Sequence, residues 1–272
     1  MTIATAPQTH LDLQAYLARI GYSRDLQPTY NTLEGLHLAH ATHIPFENLD
    51  IFLKRPIRLD LGSLLAKLVH AGRGGYCFEQ NLLMLAVLQE LGFSVTALAA
   101  RVRYRAQRVL PRTHMLLLVQ IDGDRWIADV GFGGEGLLLP IPFRYGEDTR
   151  QFLWTYRLIE EAGQSVLQSL RNGAWVDLYA FTLEPQLLAD YEMASYYTST
   201  HPDSRLAQTL TVQLPTPKER TTLINRELIA DRGDTISARI IPDDEPLLAV
   251  LAEKFGLCFP PGTRFQFPGN GS

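Results

Sequence analysis

The chain has 272 residues, of which 20% are charged, and a formal net charge of −4. That balance supplies no general attraction to nucleic acid or to an anionic membrane surface, and no apolar run is long enough to span a bilayer. With only 2 cysteines, Cys77 and Cys258, a disulfide framework and a cysteine-rich zinc site are excluded.

The opening segment, Met1 to His10, is polar and lacks the basic and apolar regions of a secretion signal, so a cytoplasmic protein is expected. Thr9-His10-Leu11-Asp12 has the form of a capping box. Leu13, Tyr16, Leu17 and Ile20 then recur at helical spacing until Gly21. A second helix is expected from about Asn31-Thr32. It carries His37, His40 and His43, which read as a solvated helix edge rather than a metal site because no companion carboxylate pattern accompanies them. A third helix over about 63–70 presents Leu64, Leu65, Leu68 and Val69. The turn Gly72–Gly75 leads into a helix that starts at Cys77, is apolar nearly all round from Leu82 to Leu91, and stops at Gly92; such a helix is buried.

After Gly92 the pattern changes to short β-rich runs, 93–104, 114–121, 125–130, 152–160, 165–170 and 175–181, separated by turn residues as in an antiparallel sheet or barrel. Pro185 is expected to open a helix through about Tyr197. Strands over 207–214, 221–229 and 235–241 follow, with a last helix over 244–255. The fold class is therefore α+β. Cys258, within Phe255-Gly256-Leu257-Cys258-Phe259, reads as a buried apolar filler.

A thiol in the first turn of a buried helix faces unpaired N–H groups and the positive end of the macrodipole, which favour a thiolate and suit an oxyanion. Such a nucleophile needs a base, and the base needs an orienting group. Asp122-Gly123 is a strong hairpin signal. A two-residue turn there pairs Ile121 with Asp124, places His114 opposite Gly131 and sets Asp129 diagonal to His114 on the same face, roughly 7–8 Å apart at the backbone. Taken singly, each residue has a plainer reading: Cys77 as core, His114 as a strand entrance, Asp129 as a strand end. Together they have the order of papain-like cysteine enzymes, a helix-start cysteine followed by histidine and acid in a β region.

Two other signals carry less. Gly131-Phe132-Gly133-Gly134-Glu135-Gly136 satisfies G-x-G-x-x-G, but Leu137-Leu138-Leu139-Pro140-Ile141-Pro142 cannot supply the helix a dinucleotide site requires. Arg101, Arg103 and Arg105, with Arg108 and Arg112 beyond, fit the outer face of a half-exposed strand better than a site for phosphates or an acidic partner.

The chain also resembles the arylamine N-acetyltransferases. The resemblance rests on Arg73-Gly74-Gly75-Tyr76-Cys77-Phe78-Glu79, Pro45-Phe46-Glu47-Asn48-Leu49, Thr113-His114-Met115, Asp129-Val130-Gly131-Phe132-Gly133 and Tyr197-Thr198-Ser199-Thr200-His201-Pro202-Asp203-Ser204. It departs at Leu206, where the family often has phenylalanine. The resemblance implies a helical bundle over 1–92, a β-barrel over 93–184, and a linking helix with an α/β lid over 185–272. It implies Cys77, His114 and Asp129 as a catalytic triad, and acetyl transfer from acetyl-CoA to arylamines, hydrazines or arylhydroxylamines through an acetyl-cysteine by ping-pong kinetics.

By motif position Phe46, Tyr76 and Phe132, with Gly131, are the expected substrate contacts and water screen, although Phe46 fits an ordinary core equally well. Glu47 and Arg73 are expected to pair beside the site. A resting imidazolium–thiolate pair of His114 and Cys77 is expected. No metal, nucleic acid or membrane partner is implied, and a homo-oligomer is compatible with the sequence. An amide synthase using a longer acyl thioester, a papain-like peptidase or transglutaminase, and a binding protein that keeps only the cleft are the alternatives.

Overall fold

The computed structural model describes residues 10–267. Helix α1 (Leu13–Ile20) is capped by Asp12, whose carboxylate accepts from the Ala15 N–H, and is closed by Gly21 at φ +65°. Asp12 makes the cap, and Thr9 of the expected capping box lies outside the described residues. Helix α2 (Tyr30–His43) follows its Thr29 cap. Then come the short strand β1 (Phe46–Glu47) and helix α3 (Leu49–Phe52), which the sequence pattern does not announce. The expected third helix divides into α4 (Leu61–Leu64) and a wider π-type turn over Leu65–His70. Helix α5 (Cys77–Glu90) begins at the cysteine, and Gly92 beyond its end has φ +84°.

His37 and His40 correct the expectation of a solvated edge. Both are fully buried, and only His43 is exposed. Helix α2 is enclosed by α1, α5 and the irregular segment after residue 128: His40 lies between the Tyr16 hydroxyl and the Gln80 side chain, and His37 meets Asp129 and Leu138. Polar partners in the interior replace the water that a lone helix would need.

Strands β2 (Ser94–Val102), β3 (His114–Ile121), β4 (Asp124–Ala128), β5 (Ile141–Pro142), β6 (Thr149–Gln151), β7 (Trp154–Glu161), β8 (Gln164–Arg171) and β9 (Ala174–Pro185) form one antiparallel sheet in the order β5-β4-β3-β2-β9-β8-β7-β6. It curls into a nearly closed barrel. The hairpin turns on Asp122 and Gly123, at φ +51° and +88°, and its register runs from Ile121↔Asp124 to Leu117↔Ala128, as expected for two residues at positive φ. Strand β3 is apolar from Met115 to Val119 because both of its faces are covered there. Met115, Leu117 and Val119 join the core around α5, while Leu116 and Leu118 point into the barrel with Tyr156, Leu158, Tyr179 and Phe181.

Pro185 ends β9 rather than opening a helix, because it lacks the N–H that a continued ladder requires. Helix α6 (Leu188–Thr200) starts behind it, and α7 (Arg205–Gln208) takes the place of the front of the expected strand 207–214, leaving β10 (Thr211–Pro215). The expected strand 221–229 is a tight hairpin, β11 (Arg220–Ile224) and β12 (Glu227–Asp231), turning on Asn225 at φ +52°. Strand β13 (Ile236–Ile240) and helix α8 (Asp244–Phe255) complete the chain order.

The second sheet runs β1-β10-β11-β12-β13, so β1 reaches from the helical part into the C-terminal sheet through Phe46↔Gln213 and Glu47↔Val212. Asn48 fastens the crossing: its amide donates to Leu206 O at 2.7 Å and Thr209 O at 2.9 Å, and its carbonyl accepts from Thr211 N at 2.7 Å. Cys258 is exposed, contrary to the filler reading. Leu257 beside it is the residue that turns into the core, which leaves the thiol on the outer side. Among the described residues no helix is long and apolar enough to cross a membrane.

Candidate active site

Cys77 is the first residue of α5, behind an extended Tyr76, and its side chain is buried. Glu79 reaches back to the Tyr76 N–H at 3.1 Å, placing a carboxylate at the positive end of the helix. Behind it runs a chain of buried charges. The Lys67 ammonium lies 2.7 Å from both Glu79 and Asp50, and Arg73 donates to Asp50 at 3.1 Å and to Glu47 Oε1 at 2.9 and 2.6 Å. The other Glu47 oxygen accepts from Leu49 N at 2.7 Å. Glu47 and Arg73 therefore pair, within a cluster of five ionisable groups rather than as an isolated couple. Burial would raise Asp50, but Lys67 and Arg73 hold it below the usual carboxylate range. Burial pushes Glu79 up to about 7 against the pull of Lys67.

His114 opens β3 and is almost wholly buried. Its Nε2 lies 2.7 Å from Asp129 Oδ2. The hairpin register therefore carries His114 and Asp129 into contact as the diagonal pairing anticipates, although the ladder itself stops at Ala128. Nδ1 is left as the nitrogen free of the carboxylate. The Cys77 sulfur lies 3.5 Å from the Thr113 carbonyl, at the peptide that enters His114. Phe132 and Tyr179 wall the imidazole, with ring centroids 5.1 and 4.8 Å away.

Burial pushes the Cys77 thiol up; Asp129 adds to this, and backbone groups of Met115 and Phe78 oppose it. A lone thiolate is therefore disfavoured, and an ionised sulfur is tenable only beside a protonated imidazole.

Asp129 is held on both oxygens. Oδ1 accepts from the Asn81 amide at 3.0 Å and from Gly131 N at 2.9 Å, and Oδ2 faces His114. Burial would raise its carboxyl, yet His114, Asn81 and Gly131 together bring it below the usual range. Asn81 sits one turn beyond Cys77, donates also to Met115 O at 2.7 Å and accepts from Val130 N at 3.1 Å, so it joins the segments that carry all three residues. Its sequence signal is an amide at i+4 from the cysteine, next to Gln80 in the polar first turns of the helix, and pattern alone assigns it no role.

The remaining expected residues are disposed unequally. A Cβ on Gly131 would lie 2.8 Å from Cys77 Cα and 2.9 Å from Cys77 O, so glycine is what lets the loop backbone rest on the helix start. Phe132 is half-buried, Phe46 is buried, and both line one small cavity that Asp129 also touches. Tyr76 is fully buried, its ring packed edge-on against Phe78 at 5.7 Å and its hydroxyl against Ser195 of α6. Four of the five arginines along β2 and beyond are paired, Arg103 with Glu161 and Asp177, Arg108 with Asp203, Arg112 with Glu184 and Arg101 with the Leu110 carbonyl, while Arg105 lies over the Tyr104 ring.

The sequence pattern of a family described as N-acetyltransferase matches residues 29–261. An arylamine N-acetyltransferase of Escherichia coli (strain K12) is 42% identical over 250 residues, which cover 90% of this chain and 88% of the relative. The solved arylamine N-acetyltransferase of M. tuberculosis superposes with a TM-score of 0.88 at 37% identity, over 90% of this chain and 94% of that one. The Mycobacterium marinum arylamine N-acetyltransferase solved in complex with CoA superposes at 0.86 with 34% identity, over 90% and 93% of the two chains.

Proposed function

Because this chain belongs to the arylamine N-acetyltransferase family, we propose that it moves acetyl from acetyl-CoA to the nitrogen of aromatic amines, with Cys77, His114 and Asp129 as its catalytic residues. Hydrazines and arylhydroxylamines are expected as further acceptors. The observation that carries this reading is the buried His114–Asp129 contact of 2.7 Å, one residue from the carbonyl against which the Cys77 sulfur rests.

The chemistry follows from the groups present. His114 takes the Cys77 proton as sulfur attacks the thioester carbon, and Asp129 stabilises the imidazolium that results. Thioester exchange swaps one sulfur for another, so acetyl-Cys77 forms at small thermodynamic cost; as the bond to CoA sulfur breaks, His114 passes its proton to that sulfur, so CoA leaves as its thiol and the imidazole is neutral again. The amine then attacks the acetyl carbon, His114 takes the nitrogen's proton, and the Cys77 sulfur leaves as thiolate. The Cys77 backbone N–H, unpaired at the helix start, is the natural donor to each oxyanion. Phe46 and Phe132 keep water from the intermediate and offer flat apolar faces to an aromatic acceptor, with Gly131 allowing the approach and Tyr76 anchoring the helix start to α6. In this division of labour the segment 1–92 supplies the nucleophile, 93–184 the base and acid, and 185–272 a lid. The reaction takes place in the cytoplasm and requires no metal.

Intact mass after brief mixing with acetyl-CoA and no amine tests the reading. One added acetyl group is expected, absent in Cys77→Ala and discharged by an aromatic amine, with parallel lines in double-reciprocal plots. No acetylation together with rapid Cys77 alkylation would reject acetyl-CoA as donor and favour a longer acyl thioester.

A further inference from the structure

Residues 129–140 adopt no helix or strand, so no regular ladder satisfies their backbone; beyond the internal bonds of Gly131 N to the Asp129 carboxylate and Gly136 N to Gly133 O, their polar groups depend on partners outside the run. One buried side chain reaches both ends of it. His37, on α2, has Nε2 3.0 Å from the Asp129 N–H and Nδ1 2.9 Å from the Leu138 carbonyl. The two contacts require opposite roles. An amide can only donate and a carbonyl can only accept, so Nε2 must carry the lone pair and Nδ1 the proton. That is the neutral imidazole, and burial maintains it by lowering His37 to about 4. The two bonded residues bracket the segment carrying Gly131 and Phe132, the residues that rest against Cys77 and His114.

Resting on the triad reading above, we infer that His37 is a positioning residue, a neutral clip that closes both ends of the Asp129–Leu138 loop and thereby fixes the Asp129 carboxylate on His114. It touches neither substrate nor reacting atoms. Its action is on the backbone at Asp129, whose side chain has one oxygen committed to Asn81 and Gly131 and the other to His114. A small rotation at that amide would carry the carboxylate off the imidazole, and a misplacement of about 1 Å at such a site costs about 10²-fold in rate.

His37→Phe removes both bonds while keeping a ring in place, and His37→Gln restores one donor and one acceptor. The readouts are the single-turnover rate of Cys77 acetylation and the KM for acetyl-CoA, with Asp129→Asn measured alongside. The inference expects His37→Phe to lose about 10–10²-fold in the acetylation rate with KM changed by less than about threefold. His37→Gln should recover most of that loss. Should His37→Phe not fold, His37→Asn is read instead; it keeps the Leu138 bond, drops the Asp129 bond and should show the same loss. A folded His37→Phe or His37→Asn that acetylates at the parent rate, while Asp129→Asn is slow, overturns the role of His37 and leaves the triad standing. An Asp129→Asn that keeps the parent rate overturns the triad reading itself. A lowered melting temperature without a change in rate would make His37 merely structural.

Discussion

The two walls of the site are held by different means. Cys77 stands on α5, whose backbone is satisfied by its own turns and needs outside partners only at its two ends; at the first of these Glu79 and the Lys67–Asp50–Arg73–Glu47 chain gather. Asp129 heads a run without regular structure, and beside the internal bonds of Gly131 N and Gly136 N its polar groups are met by side chains from other parts of the sequence. His37 and Asn81 serve its start, Gln213 accepts from Gly134 N, Arg220 and Tyr156 donate to Gly136 O, and Gln151 accepts from Leu138 N and Leu139 N. A helix is positioned by packing one face and capping one end. An irregular wall is positioned only when each polar group finds its own partner, so its accuracy depends on the whole fold.

The largest effect is expected on the helix wall. Arg73→Ala leaves Glu47 fully buried without its cation and deprives Asp50 of one of the three cations paired with it, Lys67 and the more distant Arg55 remaining. A loss of about 3–5 kcal/mol follows from stranding buried charge. Calorimetric melting measures it, and an unchanged melting temperature would mean that the cluster contributes nothing to holding α5. On the loop wall, Gly131→Ala drives a Cβ into the Cys77 backbone, which has no side-chain freedom with which to yield. The two walls should part, with a fall of about 10²-fold in the rate of Cys77 acetylation and a smaller change in melting temperature. Retained activity would show that the walls need not touch.

The smallest effect is on pH dependence, and both walls contribute to it. Burial lowers His37 to about 4 and His40 to about 3, so between those values and 6.5 the unfolded chain binds protons there that the folded chain does not. Their contribution is complete above pH 6.5 and is lost as pH falls toward the folded values. Glu79, raised to about 7, acts in the opposite sense, since the folded chain holds its proton between 4.5 and 7 where the unfolded chain releases it. Two histidines outweigh one carboxyl between pH 4.5 and 6.5, and stability should fall on acidification with a slope on the order of one proton per molecule. Urea unfolding at several pH values reads this slope. His40→Gln should flatten it, and a parent profile already flat would mean that these rings titrate as if in water.

Much of this site was legible because its signals are local. The Gly72–Gly75 turn and the apolar run after Cys77 mark a buried helix that begins at a thiol. Asp122-Gly123 signals a two-residue turn, and given that turn, rather than a three-residue loop that would shift the register by one, a single pairing brings His114 to Asp129. The supports of the loop wall gave no such signal. His37, Gln151 and Gln213 are ordinary polar residues until the fold encloses them, and His37 and His40 looked like a wet helix edge because α2 alone does not reveal that it is covered on several sides. Cys258 failed in the other direction: an apolar neighbourhood in sequence did not determine which of two adjacent residues would face inward.

The α+β class, the helix start at Cys77 and the pairing of His114 with Asp129 thus follow from propensity, capping and turn chemistry, all of which act over a few residues. Three matters waited for tertiary structure: the joining of β1 to the C-terminal sheet, the condensation of Glu47, Asp50, Lys67, Arg73 and Glu79 into one buried cluster, and the clipping of the Asp129–Leu138 segment by His37. Each depends on groups between 12 and more than 100 residues apart in the chain meeting where water is excluded, and only packing of the complete chain brings them there.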